Sequence, residues 1–126
     1  MELNRIHHVA IICSDYEKAK DFYIGKLELP LKREVWREDR KDYILTLDIG
    51  GVEVELFIMP GHPQRVTNPE ANGLRHLAFH VENMEEAVAW LNAKGIGTEP
   101  VRLDPYTNTR MTFFRDPDGL PLELHE

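Results

Sequence analysis

Asp116-Pro117-Asp118-Gly119-Leu120-Pro121-Leu122-Glu123-Leu124 decides the fold of this chain. Asp-Pro-Asp-Gly is a turn signal, and Leu120, Leu122 and Leu124 alternate with residues of the opposite face, as on a hairpin strand. Glu123 then points away from the leucines, and an unpaired buried carboxylate is costly, so it requires a partner. Displacing the sequence by 68 residues supplies one. His8 falls on His76, Ala10 on Ala78, Ala19 on Ala87, Asp48 on Asp116, Gly51 on Gly119, Glu55 on Glu123 and Leu56 on Leu124. Each half carries one His on its first strand and one Glu on its last. Two such halves make a candidate divalent-metal site.

The order of elements supports a duplicated module. Residues 5–13 alternate, with Ile6, His8, Ala10 and Ile12 on one face and His7, Val9, Ile11 and Cys13 on the other, as in a strand. Ser14 and Glu17 form a capping-box pattern, and Ala19, Phe22, Tyr23 and Leu27 keep helical spacing, which predicts a helix from Asp15 to Lys26. A strand at Leu31–Arg37 and a hairpin of Tyr43–Ile49 with Val52–Met59 across Gly50-Gly51 complete a βαβββ unit. Residues 60–73 carry Pro60, Gly61, Pro63, Pro69 and Gly73 and read as a linker. The second unit repeats the order. Arg75–Val81 is a strand, Asn83 with Glu86 caps a helix that Gly95 and Gly97 end, Ile96–Leu103 is a weak strand, and Arg110–Arg115 pairs with the last strand. The expected fold class is α+β, in one domain of 1–126, with modules at 1–59 and 74–126.

Period-2 geometry decides where the polar residues point. His8 opposes Val9 and Ile11, His76 opposes Leu77 and Phe79, and each Glu opposes its apolar neighbours. His8, Glu55, His76 and Glu123 therefore lie on the faces turned away from the helices. Nitrogen and oxygen donors without thiolate suit Zn, Ni, Co, Mn or Fe. His7 is expected to pack toward the helix, and His80 shares the face of His76. Arg110, at the mouth of the second hairpin, is a candidate for holding an anionic group, although an exposed strand-end arginine is the plainer reading.

Composition bounds the rest. With 126 residues, 42% apolar and 29% charged, the chain can bury a core without disulfide staples. A net charge of −7 lacks the basic footprint of a nucleic-acid binder. The lone Cys13 excludes an intrachain disulfide, and no apolar run reaches the roughly 18 residues that cross a bilayer. Without a secretory signal pattern at its N-terminus, the expectation is a cytoplasmic protein with no membrane partner.

At Ile6-His7-His8-Val9-Ala10-Ile11, Val54-Glu55-Leu56, Leu74-Arg75-His76-Leu77-Ala78-Phe79 and the final hairpin, the chain resembles the vicinal oxygen chelate superfamily. That superfamily includes glyoxalase I, extradiol dioxygenases, epimerases and bleomycin- and fosfomycin-resistance proteins. The resemblance implies that the two modules form a half-open barrel. A carboxylate at the end of the first module, here Glu55, is the glyoxalase I pattern of His, Glu, His, Glu, which makes His8, Glu55, His76 and Glu123 the metal ligands. It further implies nickel or cobalt, as in short bacterial forms, or zinc, and a homodimer. The implied reaction is a lyase or isomerase step on a thiohemiacetal of methylglyoxal or a related 2-oxoaldehyde. The substrate presents vicinal oxygens, the intermediate is an enediolate, and Glu123 and Glu55 are the candidate bases. Alternatives within the family are epimerisation, thiol transfer, dioxygenation and metal-free sequestration of a small molecule. Two positions depart from the glyoxalase pattern: its glutathione-gripping Arg is Ile12 here, and its Asn is Met59, so the resemblance does not specify the thiol.

Overall fold

The computed structural model describes residues 1–126, which divide into two compact units, Met1–Pro63 and Gln64–Glu126. Both are built the same way. In the first, strands β1 (His8–Cys13), β2 (Leu31–Arg37), β3 (Asp42–Ile49) and β4 (Val52–Ile58) form a mixed sheet in the order β1-β4-β3-β2. In the second, β5 (Leu77–His80), β6 (Arg102–Leu103), β7 (Arg110–Arg115) and β8 (Pro121–His125) form a sheet in the order β5-β8-β7-β6. The outer strand of each sheet runs parallel to the last strand of its unit, β1 to β4 and β5 to β8. A parallel neighbour requires a crossover, and the helical segment after β1 or β5 supplies it. The chain is thus α+β, with two four-stranded mixed sheets and few helices.

The first helical segment differs from its expected form. Its N-cap is Asp15, whose Oδ1 accepts from the Lys18 backbone N–H at 2.8 Å, and not Ser14. Only Tyr16–Ala19 (α1) winds as an α-helix. Lys20–Lys26 continues as a π-wound segment, with the Leu27 N–H reaching back to the Phe22 carbonyl at 2.9 Å. Phe22 and Tyr23 meet edge-to-face, with ring centroids 5.0 Å apart, and both are buried with Ala19 and Leu27. Ile11, Cys13, Leu45, Leu47, Val54, Leu56 and Ile58 are buried on one face of the sheet and, with those helical residues, make up the core of the first unit.

In the second unit α2 (Met84–Ala93) is capped by Asn83, whose side chain accepts from the Glu86 N–H at 3.1 Å. Gly95, at φ +80°, ends it in the left-handed conformation that glycine adopts without strain. Met84, Leu91 and Ile96 are buried, as are Phe114, Leu122 and Leu124 of β7 and β8. The weak strand expected over Ile96–Leu103 is reduced to Arg102–Leu103. Pro100 has no N–H to offer a ladder, and the Ile96 N–H is already bonded to the Leu91 carbonyl at the helix end.

The two hairpins are closed by different chemistry. Gly50 and Gly51 both have positive φ (60° and 88°), as a two-residue I′ turn demands, and Asp48 Oδ1 accepts from the Gly51 N–H at 3.0 Å. In the second hairpin Asp116 Oδ1 accepts from the N–H groups of Asp118 and Leu120, each at 2.9 Å. The longer loop still delivers Glu123 to the place that Glu55 holds in the first unit. No helix is long and apolar enough to cross a membrane.

Candidate metal centre

Register determines what each candidate ligand can touch. On the first sheet Ala10 is paired with Glu55 and His8 with Glu53, so His8 and Glu55 are diagonal neighbours on one face. Nε2 of His8 lies 3.5 Å from Oε1 of Glu55. On the second sheet Ala78 is paired with Glu123, and His76, two residues earlier, stands just before β5 on the same diagonal. Nε2 of His76 lies 2.9 Å from Oε2 of Glu123. The structure thus brings together His8 with Glu55 in one unit and His76 with Glu123 in the other, at equivalent places on equivalent sheets.

The opposite faces carry the core, which is why the pairs form. Val54, Leu56 and Ile58 enter the core of their unit, and Leu122 and Leu124 enter theirs, so the alternate residues Glu55 and Glu123 must point the other way. Glu123 is only 6% exposed, and a carboxylate so buried needs a donor or a cation. The donor set fits a divalent ion. Ligands about 2.1 Å from one ion and at neighbouring positions lie roughly 3.0–3.4 Å apart. The 2.9 and 3.5 Å separations bracket that range, with a nitrogen and an oxygen in each pair.

One charged neighbour, Glu53, was not singled out by sequence, whereas the sequence makes Phe113 a candidate for walling a pocket or for the core. Glu53 shares the face of Glu55 and receives hydrogen bonds from Lys32 at 2.7 Å and Arg33 at 3.3 Å. The Lys32 ammonium holds its carboxyl below the usual carboxylate range. The signal was present, since two acids two residues apart on a strand share a face. Phe113 sets its ring edge-to-face against His76, with centroids 5.1 Å apart, and fixes that imidazole from the side. Its register partner on β8 is Glu123.

Other expectations are corrected. His7 is exposed rather than packed toward the helix. It precedes β1, outside the alternation, and its Nδ1 lies 2.9 Å from Nδ1 of His8. Arg110 is no free anion holder. It lies on the helix side of its sheet, where Glu126 binds it at 2.9 and 2.6 Å and Glu85 of α2 closes the cluster. His80 is exposed beside Glu82. His125 donates to the Glu126 carbonyl from Nδ1 and faces Asp104 at 3.6 Å, and the carbonyl contact raises its pKa above the ordinary imidazole value. Ile12, on the face of His8, is apolar and exposed.

Comparison with known proteins places the fold in a family. A family model described as "Glyoxalase/Bleomycin resistance protein/Dioxygenase superfamily" matches residues 5–124. The chain is 57% identical over 127 residues to the uncharacterized protein YwkD of Bacillus subtilis, across 100% of this chain and 99% of that one. It superimposes on the crystal structure of a glyoxalase family protein from Enterococcus faecalis with a TM-score of 0.95 and 53% identity, covering 100% of both chains. At 28% identity it also matches the metallothiol transferase FosB of Staphylococcus saprophyticus, over 98% of this chain and 77% of that protein.

Proposed function

From the premise that this chain belongs to the Glyoxalase/Bleomycin resistance protein/Dioxygenase superfamily, we propose that it is a metal-dependent lyase of the glyoxalase I type. Its substrate is a thiohemiacetal of methylglyoxal or of a related 2-oxoaldehyde. The single observation that carries this reading is the repetition of one diagonal His–Glu pair in both units, His8 with Glu55 and His76 with Glu123. Together the two pairs would hold one divalent ion, nickel or cobalt or else zinc, manganese or iron, within one chain or across a homodimer of a cytoplasmic protein. When bound, that ion supplies Lewis-acid stabilisation of negative charge on the substrate's adjacent oxygens.

The residues of the chain supply the rest of the chemistry. Glu123 or Glu55 accepts the proton as the C–H bond of the thiohemiacetal carbon breaks, leaving an enediolate. The same carboxylic acid then returns that proton to the neighbouring carbon, and the product is a 2-hydroxy thioester. No atom is gained or lost, so the reaction needs one proton shuttle and no redox partner. Glu123 is suited to this by its burial and by the fixed contact with His76, which Phe113 holds in place. His8 and His76 orient the carboxylates.

The test is metal analysis of protein purified without chelator, followed by turnover of the Ni-, Co-, Zn-, Mn- and Fe-loaded forms with methylglyoxal and several low-molecular-weight thiols. Stoichiometric metal and turnover lost in both Glu55→Gln and Glu123→Gln support the reading. Full turnover in both variants sinks the assignment of the base. The match to FosB favours a second reading, thiol addition to an epoxide, which uses the same polarisation of an oxygen. An epoxide included in the same screen separates the two.

A further inference from the structure

We propose that Arg102 makes the site selective for substrates that carry an anionic group remote from their adjacent oxygens. This rests on the reading that His76 and Glu123 hold the ion. Arg102 lies on β6, the edge strand of the second sheet, in register with Met111, which alternates onto the same face as Phe113. Its guanidinium stacks on the Phe113 ring, with Cζ 5.4 Å from the centroid. The other side of the contact chain is already described, since Phe113 abuts His76 at 5.1 Å and His76 meets Glu123 at 2.9 Å. Arg102, Phe113, His76 and Glu123 thus form one row of touching side chains across a single face. Strand β6 lies two strand spacings from β8, roughly 10 Å, and the guanidinium reaches back over Phe113 on β7 between them.

Two guanidiniums share one carboxylate beside Phe113. Arg102 Nη1 donates to Glu99 Oε1 at 3.1 Å, and Arg115 Nη2 approaches Glu99 Oε2 at 3.6 Å. One carboxylate therefore faces two guanidiniums and leaves one positive charge uncompensated. Only one of the five N–H donors of Arg102 is engaged there, and the side chain is 51% exposed. The contact with Phe113 restrains the guanidinium, so less freedom is lost when a carboxylate or phosphate binds it bidentately. Arg110 cannot do this, because Glu126 and Glu85 already saturate it on the other side of the sheet.

The test uses cobalt-loaded protein and two bidentate oxygen chelators, acetohydroxamate, which has no remote charge, and adipate monohydroxamate, which carries a carboxylate at the far end of its methylene chain. Binding is read from the cobalt absorption spectrum. The parent should bind the adipate compound about tenfold more tightly than acetohydroxamate. Arg102→Gln should erase that preference while leaving acetohydroxamate affinity unchanged, and Arg102→Lys should keep part of it. A preference that survives in Arg102→Gln, or a loss of affinity that is equal for both chelators, overturns the inference alone. If neither chelator perturbs the cobalt spectrum, the metal reading itself fails and the inference falls with it.

Discussion

His76 Nε2 lies 2.9 Å from Glu123 Oε2, although the residue paired with Glu123 in register is Ala78. The contact is therefore a diagonal across a parallel pair of strands, and it recurs between His8 and Glu55. A diagonal of this kind leaves the small Ala78 or Ala10 opposite each glutamate on the parallel strand, while on the antiparallel side Glu123 faces Phe113 and Glu55 faces Thr46.

Replacing one member of a pair should remove the metal. For His76→Gln or Glu123→Gln, calorimetric titration with nickel or cobalt should show an affinity loss of no less than the roughly 10–100-fold that removal of an outer partner costs. The apo fold should remain intact by circular dichroism. Unchanged metal stoichiometry in both variants would place the ion elsewhere.

Acidification should act through Asp42. Arg37 grips its carboxylate with two hydrogen bonds of 2.7 Å, and those bonds hold the Asp42 carboxyl below the usual carboxylate range. A folded-state value below the unfolded one, near 3.9, gives a contribution that is complete above about pH 4. It is lost as the pH falls through the lowered folded value. Melting temperature measured from pH 7 to pH 2 should drop on that limb, and Asp42→Asn should flatten the part of the drop that belongs to this pair.

Leu56, on β4 opposite Ile11 and Leu45, is fully buried. Leu56→Ala should destabilise the protein by about 2–5 kcal/mol, through lost transfer energy and the cavity left behind. Urea denaturation at constant m-value measures it. Because Leu56 flanks Glu55, metal affinity in the still-folded fraction reports whether core packing positions the ligand.

Gly51 sits at φ +88° with open space where a Cβ would stand. Gly51→Ala therefore costs backbone strain and no clash, on the order of 1–2 kcal/mol. Gly51→Asn should cost less, since asparagine tolerates that region. Equal melting temperatures for all three proteins would refute the I′ turn.

The sequence by itself determined the two βαβββ modules, the turns at Gly50-Gly51 and Asp116–Gly119, and the faces on which His8, Glu55, His76 and Glu123 lie. Those are consequences of period-2 alternation and of an internal repeat, both of which survive in one dimension. Tertiary structure decided what depends on neighbours distant along the chain. The π winding of Lys20–Lys26 accompanies the burial of Phe22, Tyr23 and Leu27, and β6 is reduced to Arg102–Leu103. The exchange of Arg110 for Arg102 as the arginine beside the site is of the same kind. Both arginines are strand residues near the same hairpin in sequence, but register places one against α2 and the other against Phe113, and register is fixed by packing rather than by composition.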